Sequence, residues 1–378
     1  MKRTFIRNAS IVNEGKQFYG SVVIEGEIIK EILTDGEEPS VSYDEVIDAT
    51  GLYLVPGVID EHVHFRDPGL THKGDISSES KAAVAGGVTS VMDMPNTNPV
   101  TTTLEALAIK QEAMATKSLV NYSCYFGATN NNYKLFSELD PHRICGIKLF
   151  MGASTGNMLV DRMNSLSNIF NGTDLLIAAH CESQDIIKEN TEKYLADAGV
   201  DNDLPVEYHP LIRSVEACYE SSKQAIKLAT EAGARLHIMH ITTAKELELF
   251  NDLPLSKKKI TAEACIPHLA FTSDDYKTYG TKIKCNPAVK EEFNREALRK
   301  AINTGLIDTI GPDHAPRLLR EKECGALKAA SGMPMIQFSL VSMLNMVNQG
   351  LFTIEKVVEK MCHAPADLYQ IQKRGYIR

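Results

Sequence analysis

The chain has 378 residues, of which 43% are hydrophobic and 24% charged. These are the proportions of a folded globular protein, and they exclude disordered, collagenous and fibrous classes. The 40 Lys and Arg residues against 49 Asp and Glu residues give a net charge of −9, which argues against a nucleic acid or an anionic membrane as the partner, because both are bound through basic patches.

Residues 1–55 predict a small β module. Three segments rich in β-branched residues, 4–12, 20–29 and 45–48, are separated by turn residues around Gly15 and Gly26. Runs of this kind bounded by turn signals are typical of short strands. We therefore expect the N-terminal strands to form a small β-sandwich module.

Short apolar runs alternate with helical segments through the middle of the chain. The runs cover residues 54–65, 88–94, 122–128, 146–151, 174–180, 235–241, 260–265 and 307–311. Segments with helical periodicity lie between them, at residues 76–85, 104–115, 215–232, 244–251 and 291–304. Alternating strands and helices indicate parallel βαβ units, and eight strands close a barrel. The sequence thus predicts an α/β fold with a (β/α)8 TIM-type barrel over residues 56–365.

A last apolar helix is predicted over residues 352–361, and little chain follows it. We expect residues 366–378 to return toward the β module, whose C-terminal part would then be short or missing. The eight cysteines never form a Cys-x-x-Cys pair, and we find no secretion signal or membrane-length apolar run. Reduced thiols and a cytoplasmic location are the expectation.

The strongest chemical signal is the pair His62 and His64 at the end of the first apolar run. Residues two apart in a strand leave the same face, so both imidazoles would point in one direction. Two neutral imidazoles side by side suit a zinc-like divalent metal. The alternative interpretation is a pair of half-buried structural histidines.

Three further donors follow barrel strands at the same end. His180 closes the fifth run, His240 closes the sixth, and Asp313 follows the eighth, and active sites of TIM barrels lie at the C-terminal ends of the strands. Asp313 could instead cap a helix. His237 is three residues from His240, which predicts that it faces the helix layer. We interpret the other histidines considered as structural or surface residues: His72, His142, His209, His268 and His363.

Lys148 lies between apolar neighbours in the fourth run. An unpaired buried ammonium is costly, so the lysine should either pair with a nearby carboxylate or become neutral. A neutral amine can react with CO₂ to give a carbamate, which is an anion able to bridge two cations. Four histidines and one aspartate are too many donors for one open zinc site and slightly few for two, so a bridging anion would complete the set.

The order of these residues resembles the amidohydrolase superfamily. Three motifs, Phe-Arg-Asp-Pro-Gly from Phe65, Met-Pro-Asn-Thr from Met94 and Asp-His-Ala-Pro from Asp313, are similar to the dihydroorotases, and the resemblance covers most of residues 50–340. It implies two Zn²⁺ ions per subunit. It places His62, His64 and Asp313 on one ion, His180 and His240 on the other, and carboxylated Lys148 between them.

The same resemblance implies a small-molecule substrate whose carboxylate is held by Arg66 and Asn96. Asn286 and the backbone around Gly332 match further substrate contacts. The implied activity is the reversible cyclisation of N-carbamoyl-L-aspartate to L-dihydroorotate in de novo pyrimidine biosynthesis. A metal-bridging hydroxide would attack the amide, with Asp313 as the general acid and base. Relatives are often dimers, so a homodimer is implied.

One position departs from the dihydroorotase pattern. The family usually has a histidine after Asp-His-Ala-Pro, and this chain has Arg317. A guanidinium can still hold the substrate carboxylate, but it is longer and permanently charged. Two alternatives therefore stay open: a cyclic amidase of the hydantoinase or allantoinase type, which shares the metal ligands, and a catalytically silent relative that serves as a scaffold.

Overall fold

The computed structural model describes residues 1–34, 36–152 and 158–378. The chain divides into two compact units, one made of Met1–Ile59 with Met343–Arg378 and the other of Asp60–Ser342. Among the described helices, none has both the length and the apolar composition needed to cross a lipid bilayer.

The first unit contains one five-stranded sheet. Its strands are β1 (Arg3–Asn13), β2 (Lys16–Glu25), β3 (Ile28–Thr34), β4 (Glu45–Asp48) and β5 (Tyr53–Leu54). The order is β3-β2-β1-β4, β5 also pairs with β1, and only β4 and β5 run parallel to β1. Val22 and Val23 belong to two different buried clusters. Consecutive strand residues point to opposite faces, so apolar side chains cover both faces of this sheet.

The C-terminal residues of this unit are hydrogen-bonded to the end of β1. Asn13 exchanges two hydrogen bonds with the backbone of Ile377, at 3.0 and 3.1 Å. His363 accepts from the Glu14 amide at 2.9 Å and donates to the Gly375 carbonyl at 2.6 Å. The helix predicted at residues 352–361 is shorter than expected and continues as a single π-helical turn. The segments here are α11 (Ile354–Val358), the π turn Glu359–His363 and α12 (Ala364–Leu368).

Eight parallel strands form the barrel in chain order, as the sequence predicted. They are β6 (Val58–Val63), β7 (Val88–Asp93), β8 (Asn121–Gly127), β9 (Gly146–Phe150), β10 (Ile177–His180), β11 (Leu236–Ile238), β12 (Ile260–Cys265) and β13 (Thr309–Gly311). The first and last strands meet through His314, which donates to the His62 carbonyl and accepts from the His64 amide. Both the barrel and the separate N-terminal sheet of the prediction are confirmed.

Serine caps and glycines mark the ends of several α-helices between the strands. Ser183 and Ser214 cap two N-termini with their side chains, while Gly233 and Gly305 end two helices with φ of +68° and +86°, a conformation that glycine adopts without strain. The predicted helix at residues 244–251 is only a 3₁₀ turn, Glu246–Leu249. The helices are α1 (Ile76–Ala85), α2 (Leu104–Lys117), α3 (Met163–Asn171), α4 (Gln184–Ala198), α5 (His209–Ile212), α6 (Val215–Ala232), α7 (Ile266–Ala270), α8 (Tyr276–Tyr279), α9 (Glu292–Thr304) and α10 (Ser339–Asn348).

Candidate metal centre and substrate pocket

One pocket at the C-terminal ends of the barrel strands collects every site residue that the sequence predicted. Its lining includes the six expected metal ligands and the five expected substrate contacts. They are His62, His64, Lys148, His180, His240, Asp313, Arg66, Asn96, Asn286, Arg317 and Gly332. The parallel strands explain this convergence, because residues that follow strands of one parallel barrel share the same end.

The first donor group comes from β6 and from the segment after β13. Asp313 Oδ1 lies 3.2 Å from Nε2 of His62 and 3.2 Å from Nε2 of His64. Burial alone would raise the pKa of Asp313, but the charge and hydrogen bonds of the two imidazoles hold it well below its usual range. The donor atoms of these three residues lie within 4.8 Å of one another, which is the spacing of ligands around one ion.

The second donor group joins β10 to the residues just after β11. Nδ1 of His180 and Nε2 of His240 are 2.9 Å apart. Burial lowers the pKa of both imidazoles, so both are neutral at neutral pH and have the lone pairs that metals bind. The ring centroids of His62 and His240 are 5.4 Å apart, so the two donor groups are neighbours.

Lys148 is buried in β9 and faces the same pocket. Its Nζ lies 2.9 Å from Met239 Sδ, and within the described ranges no carboxylate lies within 4 Å of it. Pairing with a nearby carboxylate, one of the two sequence-based interpretations, is therefore not what the described residues show. Burial lowers the pKa of Lys148 to about 8. Near neutral pH the neutral amine is therefore more populated than in an exposed lysine.

These residues fit a divalent metal centre. Imidazoles and a carboxylate converge on one space, and such nitrogen and oxygen donors suit zinc and similar ions. A ring nitrogen of His180 and one of His240 also lie close together, and one ion bound to both would satisfy them.

In three of the histidines expected to bind metal, one ring nitrogen is hydrogen-bonded to a supporting side chain, which is Glu263, Glu182 or Asn96. The sequence-based reasoning did not identify the two glutamates. Glu263 Oε2 accepts from His62 Nδ1 at 2.8 Å, and Glu182 Oε2 accepts from His180 Nε2 at 2.9 Å. Asn96 Oδ1 accepts from His64 Nδ1 at 2.8 Å. Hydrogen bonds of this kind fix the tautomer and the direction of a ligating imidazole. Glu263 is the charged residue of the short strand segment 260–265. A charged residue in such a segment is the same signal that identifies Lys148.

The prediction that His237 faces the helix layer is wrong. His237 pairs in register with Ala178, which itself pairs with Lys148, so the three residues share the interior face of the barrel. Its Nδ1 lies 2.8 Å from Thr261 Oγ1. The parity argument fails because β11 ends at Ile238 and His240 has a left-handed φ of +42°, so residues 237 and 240 do not belong to one regular strand.

Two arginines line the pocket next to the metal donors, Arg66 buried and Arg317 partly buried. Nε of Arg66 donates to the Pro316 carbonyl at 3.3 Å, and Nε of Arg317 donates to the Ser331 carbonyl at 2.9 Å. In the part of the chain that the structure describes, no carboxylate lies within 4 Å of either guanidinium. Burial, together with the charge of Arg317, lowers the pKa of Arg66 to about 10. Two cations therefore face the pocket, and neither contacts a carboxylate of the described residues.

Asn286 and Gly332 form the neighbouring wall of the pocket. The Asn286 side chain accepts from Ser331 Oγ at 2.9 Å. Gly332 has φ of +125°, and a Cβ there would lie 2.5 Å from the Ala315 carbonyl oxygen. Only glycine fits this position, because both the backbone conformation and the available space exclude a side chain.

Comparison with known proteins agrees with this fold and donor set. The model of the amidohydrolase family matches residues 53–378, and the chain belongs to that family. The prediction of an amide-hydrolysing enzyme is thereby confirmed. A dihydroorotase from Methanosphaera stadtmanae is 30% identical over 95% of this chain and 81% of its own length. An L-hydantoinase from Paenarthrobacter aurescens is 31% identical over 90% of this chain and 77% of its own.

Similar solved structures carry the hydantoinase name rather than the dihydroorotase name. The structure of an L-hydantoinase (dihydropyrimidinase) from Arthrobacter aurescens superposes with a TM-score of 0.93 at 28% identity. The match covers 100% of this chain and 85% of that one. The two named activities of the relatives therefore have to be separated by the pocket itself.

Proposed function

We propose that this chain is a zinc-dependent dihydroorotase, which interconverts N-carbamoyl-L-aspartate and L-dihydroorotate in pyrimidine biosynthesis. The observation that carries the proposal is a pair of guanidiniums in the pocket, Arg66 buried and Arg317 partly buried, that lack a carboxylate within 4 Å among the described residues. A buried charge is costly unless it is paired. A substrate carboxylate would pair these cations, and dihydroorotate has such a carboxylate whereas simple hydantoins do not.

The residues that would hold the metal are those of the two donor groups. His62, His64 and Asp313 would bind one Zn²⁺, His180 and His240 a second, and Lys148 as a carbamate would lie between them. Bound ions of this kind polarise an amide carbonyl and make hydroxide available near neutral pH.

Side chains and backbone of the protein would bind the substrate and transfer the proton. Arg66 and Arg317 can each present a planar fork of N–H donors to a carboxylate, while Asn286 and the Gly332 backbone orient the substrate on the adjoining wall. Asp313, at the same end of the barrel, would accept a proton at its carboxylate and pass it to the leaving ring nitrogen.

The second candidate is a hydantoinase, which the 0.93 TM-score of a solved L-hydantoinase favours. A hydantoin ring has no carboxylate, so its binding would not depend on either guanidinium. The two candidates therefore make opposite predictions for substitutions of the arginines.

The deciding experiment measures hydrolysis of L-dihydroorotate and of an unsubstituted hydantoin by the zinc-loaded protein. We expect turnover of dihydroorotate, and Arg66→Ala and Arg317→Ala should each raise its KM by roughly 10- to 100-fold, because charge-assisted hydrogen bonds contribute about 1.5–3 kcal/mol. Arg320→Ala, at an exposed position nearby, is the matched control. A preference for hydantoin that neither substitution alters would establish the second candidate instead.

A further inference from the structure

We infer that Lys322 is a positioning residue that fixes the substrate-facing wall of the pocket through its ammonium group. That wall, here called the 286/332 wall, consists of residues 284–287 and 330–333. The inference deepens the proposed function, on which it rests for the identity of the substrate. No residue of the metal centre takes part in it.

The Lys322 ammonium is surrounded by backbone carbonyls. Its Nζ donates to the carbonyls of Gly332 at 2.7 Å, Ala330 at 3.1 Å and Lys284 at 3.2 Å. The residue is buried, and over residues 1–34, 36–152 and 158–378 no carboxylate lies within 4 Å of its Nζ. A lysine ammonium has three N–H donors and no acceptor, so three carbonyls use its full donor capacity.

These three carbonyls belong to the two segments that carry the wall. Lys284 precedes Asn286 by two residues, and Ala330 and Gly332 flank Ser331, whose hydroxyl bonds the Asn286 side chain and whose carbonyl holds Arg317. The Lys284 carbonyl also accepts from the Gly332 amide at 2.9 Å. Lys322 thus joins both segments at the point where they touch.

The remaining supports of the wall show why this ammonium matters. His209 donates to the Cys285 carbonyl and His268 to the Pro287 carbonyl, each at 2.9 Å, so both hold the first segment only. The second segment, residues 330–333, contains no strand or helix, and its regular pairing is a single β-bridge between Met333 and His314. Lys322 bonds both segments from outside the wall, in addition to the Ser331–Asn286 and Gly332–Lys284 hydrogen bonds that join them directly. It therefore helps to set the spacing between Asn286 and Gly332.

The chemistry of the site favours lysine over other cations. A compact ammonium directs its donors in a pyramid, whereas a guanidinium is a planar fork. Replacing the amine with an apolar group removes a donor from all three carbonyls and leaves the Lys284 carbonyl with the Gly332 amide. Buried acceptors that lose a donor are unfavourable. The segments would move until water or other donors reach those carbonyls, and the contacts that hold the substrate would be lost.

The first test compares Lys322→Met with Lys328→Met, an exposed lysine in the same stretch of chain. We expect Lys322→Met to raise KM for L-dihydroorotate about tenfold or more while kcat stays within about threefold, because substrate binding is lost in the ground and transition states alike. Lys322→Arg should recover part of the affinity, and zinc content should be unchanged. An unaltered KM in Lys322→Met would overturn the inference.

The second test needs no substrate, so it separates failure of this inference from failure of the proposed function. Amide hydrogen exchange is measured by mass spectrometry on peptides that contain residues 284–287 and 330–333. We expect the Gly332 amide to exchange about tenfold or more faster in Lys322→Met than in the wild type or in Lys328→Met. If Lys322→Met does not fold, Lys322→Gln, which keeps two N–H donors, takes its place. Equal exchange in the variant and the wild type would refute the positioning role, whatever the substrate proves to be.

Discussion

Glu263 joins His62 to the backbone of His240. Its Oε2 accepts from His62 Nδ1 at 2.8 Å and from the His240 amide at 2.8 Å. With Nδ1 directed at Glu263, Nε2 of His62 faces Asp313 and the space between the donors. One carboxylate therefore orients a residue of each donor group.

Glu263→Gln is expected to weaken metal binding without removing a ligand. The amide can still accept from His62, but it lacks the charge that makes the imidazole a better donor, and changes of this kind typically lower metal affinity by about 10- to 100-fold. Affinity is measured by competition with a chelator of known zinc affinity. Glu248→Gln, at an exposed position, controls for the loss of one negative charge. Unchanged affinity in Glu263→Gln would mean that the hydrogen bond does not support the metal.

Lys148→Ala is expected to prevent loading of two metals. The buried amine faces the pocket with no carboxylate partner within 4 Å in the described sequence, and a carbamate formed on it would supply the anion between the ions. Elemental analysis should show at most about one zinc per chain, and added acetate or propionate should restore part of the activity. Lys290→Ala removes another buried lysine, whose Nζ bonds the Ala288 carbonyl, and should keep both ions. Full activity of Lys148→Ala would refute the carbamate.

The barrel and the clustering of the donors could be predicted because both follow from local patterns. Short apolar runs mark strands, glycines mark helix ends, and parallel strands place their last residues at one end of the barrel. Neither His180 nor His240 needed a long-range contact to be found, since each closes an apolar run. The register of each strand then determines which side chains face the pocket.

The supporting residues could not be predicted because their partners are distant or belong to the backbone. Glu263 bonds a histidine 201 positions away, and Lys322 bonds carbonyl groups in irregular segments, which no side-chain pattern encodes. His237 was misplaced because an odd spacing predicts opposite faces only while the strand remains regular, and β11 ends before His240. Backbone conformation at strand ends is thus the information that the sequence pattern lacked.

The buried ion pair between Lys110 and Asp93 is expected to be important for stability. Lys110 Nζ lies 2.7 Å from Asp93 Oδ2 with both side chains fully buried, and Asp93 Oδ1 accepts from the Phe65 amide at 2.8 Å. Lys110→Met leaves an uncompensated buried carboxylate and should lower the free energy of unfolding by about 3–5 kcal/mol.

Denaturant unfolding of that variant is compared with Lys81→Met on the exposed side of α1, which should change stability by less than about 0.5 kcal/mol. Adding Asp93→Asn to Lys110→Met should recover part of the lost stability, because the unpaired charge is then removed. A double variant less stable than Lys110→Met would show that the charge of Asp93 is not the source of the loss.

The contribution of Asp203 to stability is expected to depend on pH. Its carboxylate accepts from the amides of Leu204, Gly325 and Leu327 at 2.8–2.9 Å. Partial burial opposes ionisation, but these N–H bonds outweigh it and lower the pKa of Asp203 below its usual range. A carboxylate whose pKa is lower in the folded than in the unfolded state stabilises the fold above its unfolded pKa of about 3.9, and this contribution disappears as pH falls through the folded value.

We therefore expect Asp203→Asn to melt at a lower temperature than the wild type at about pH 6, with the difference shrinking steadily toward about pH 3. Comparing variant and wild type at each pH cancels the titration of the other carboxylates. Asp201→Asn, two residues away and exposed, should track the wild type at every pH. If the deficit of Asp203→Asn grew as the solution was acidified, the amide hydrogen bonds would not be stabilising the ionised form of Asp203.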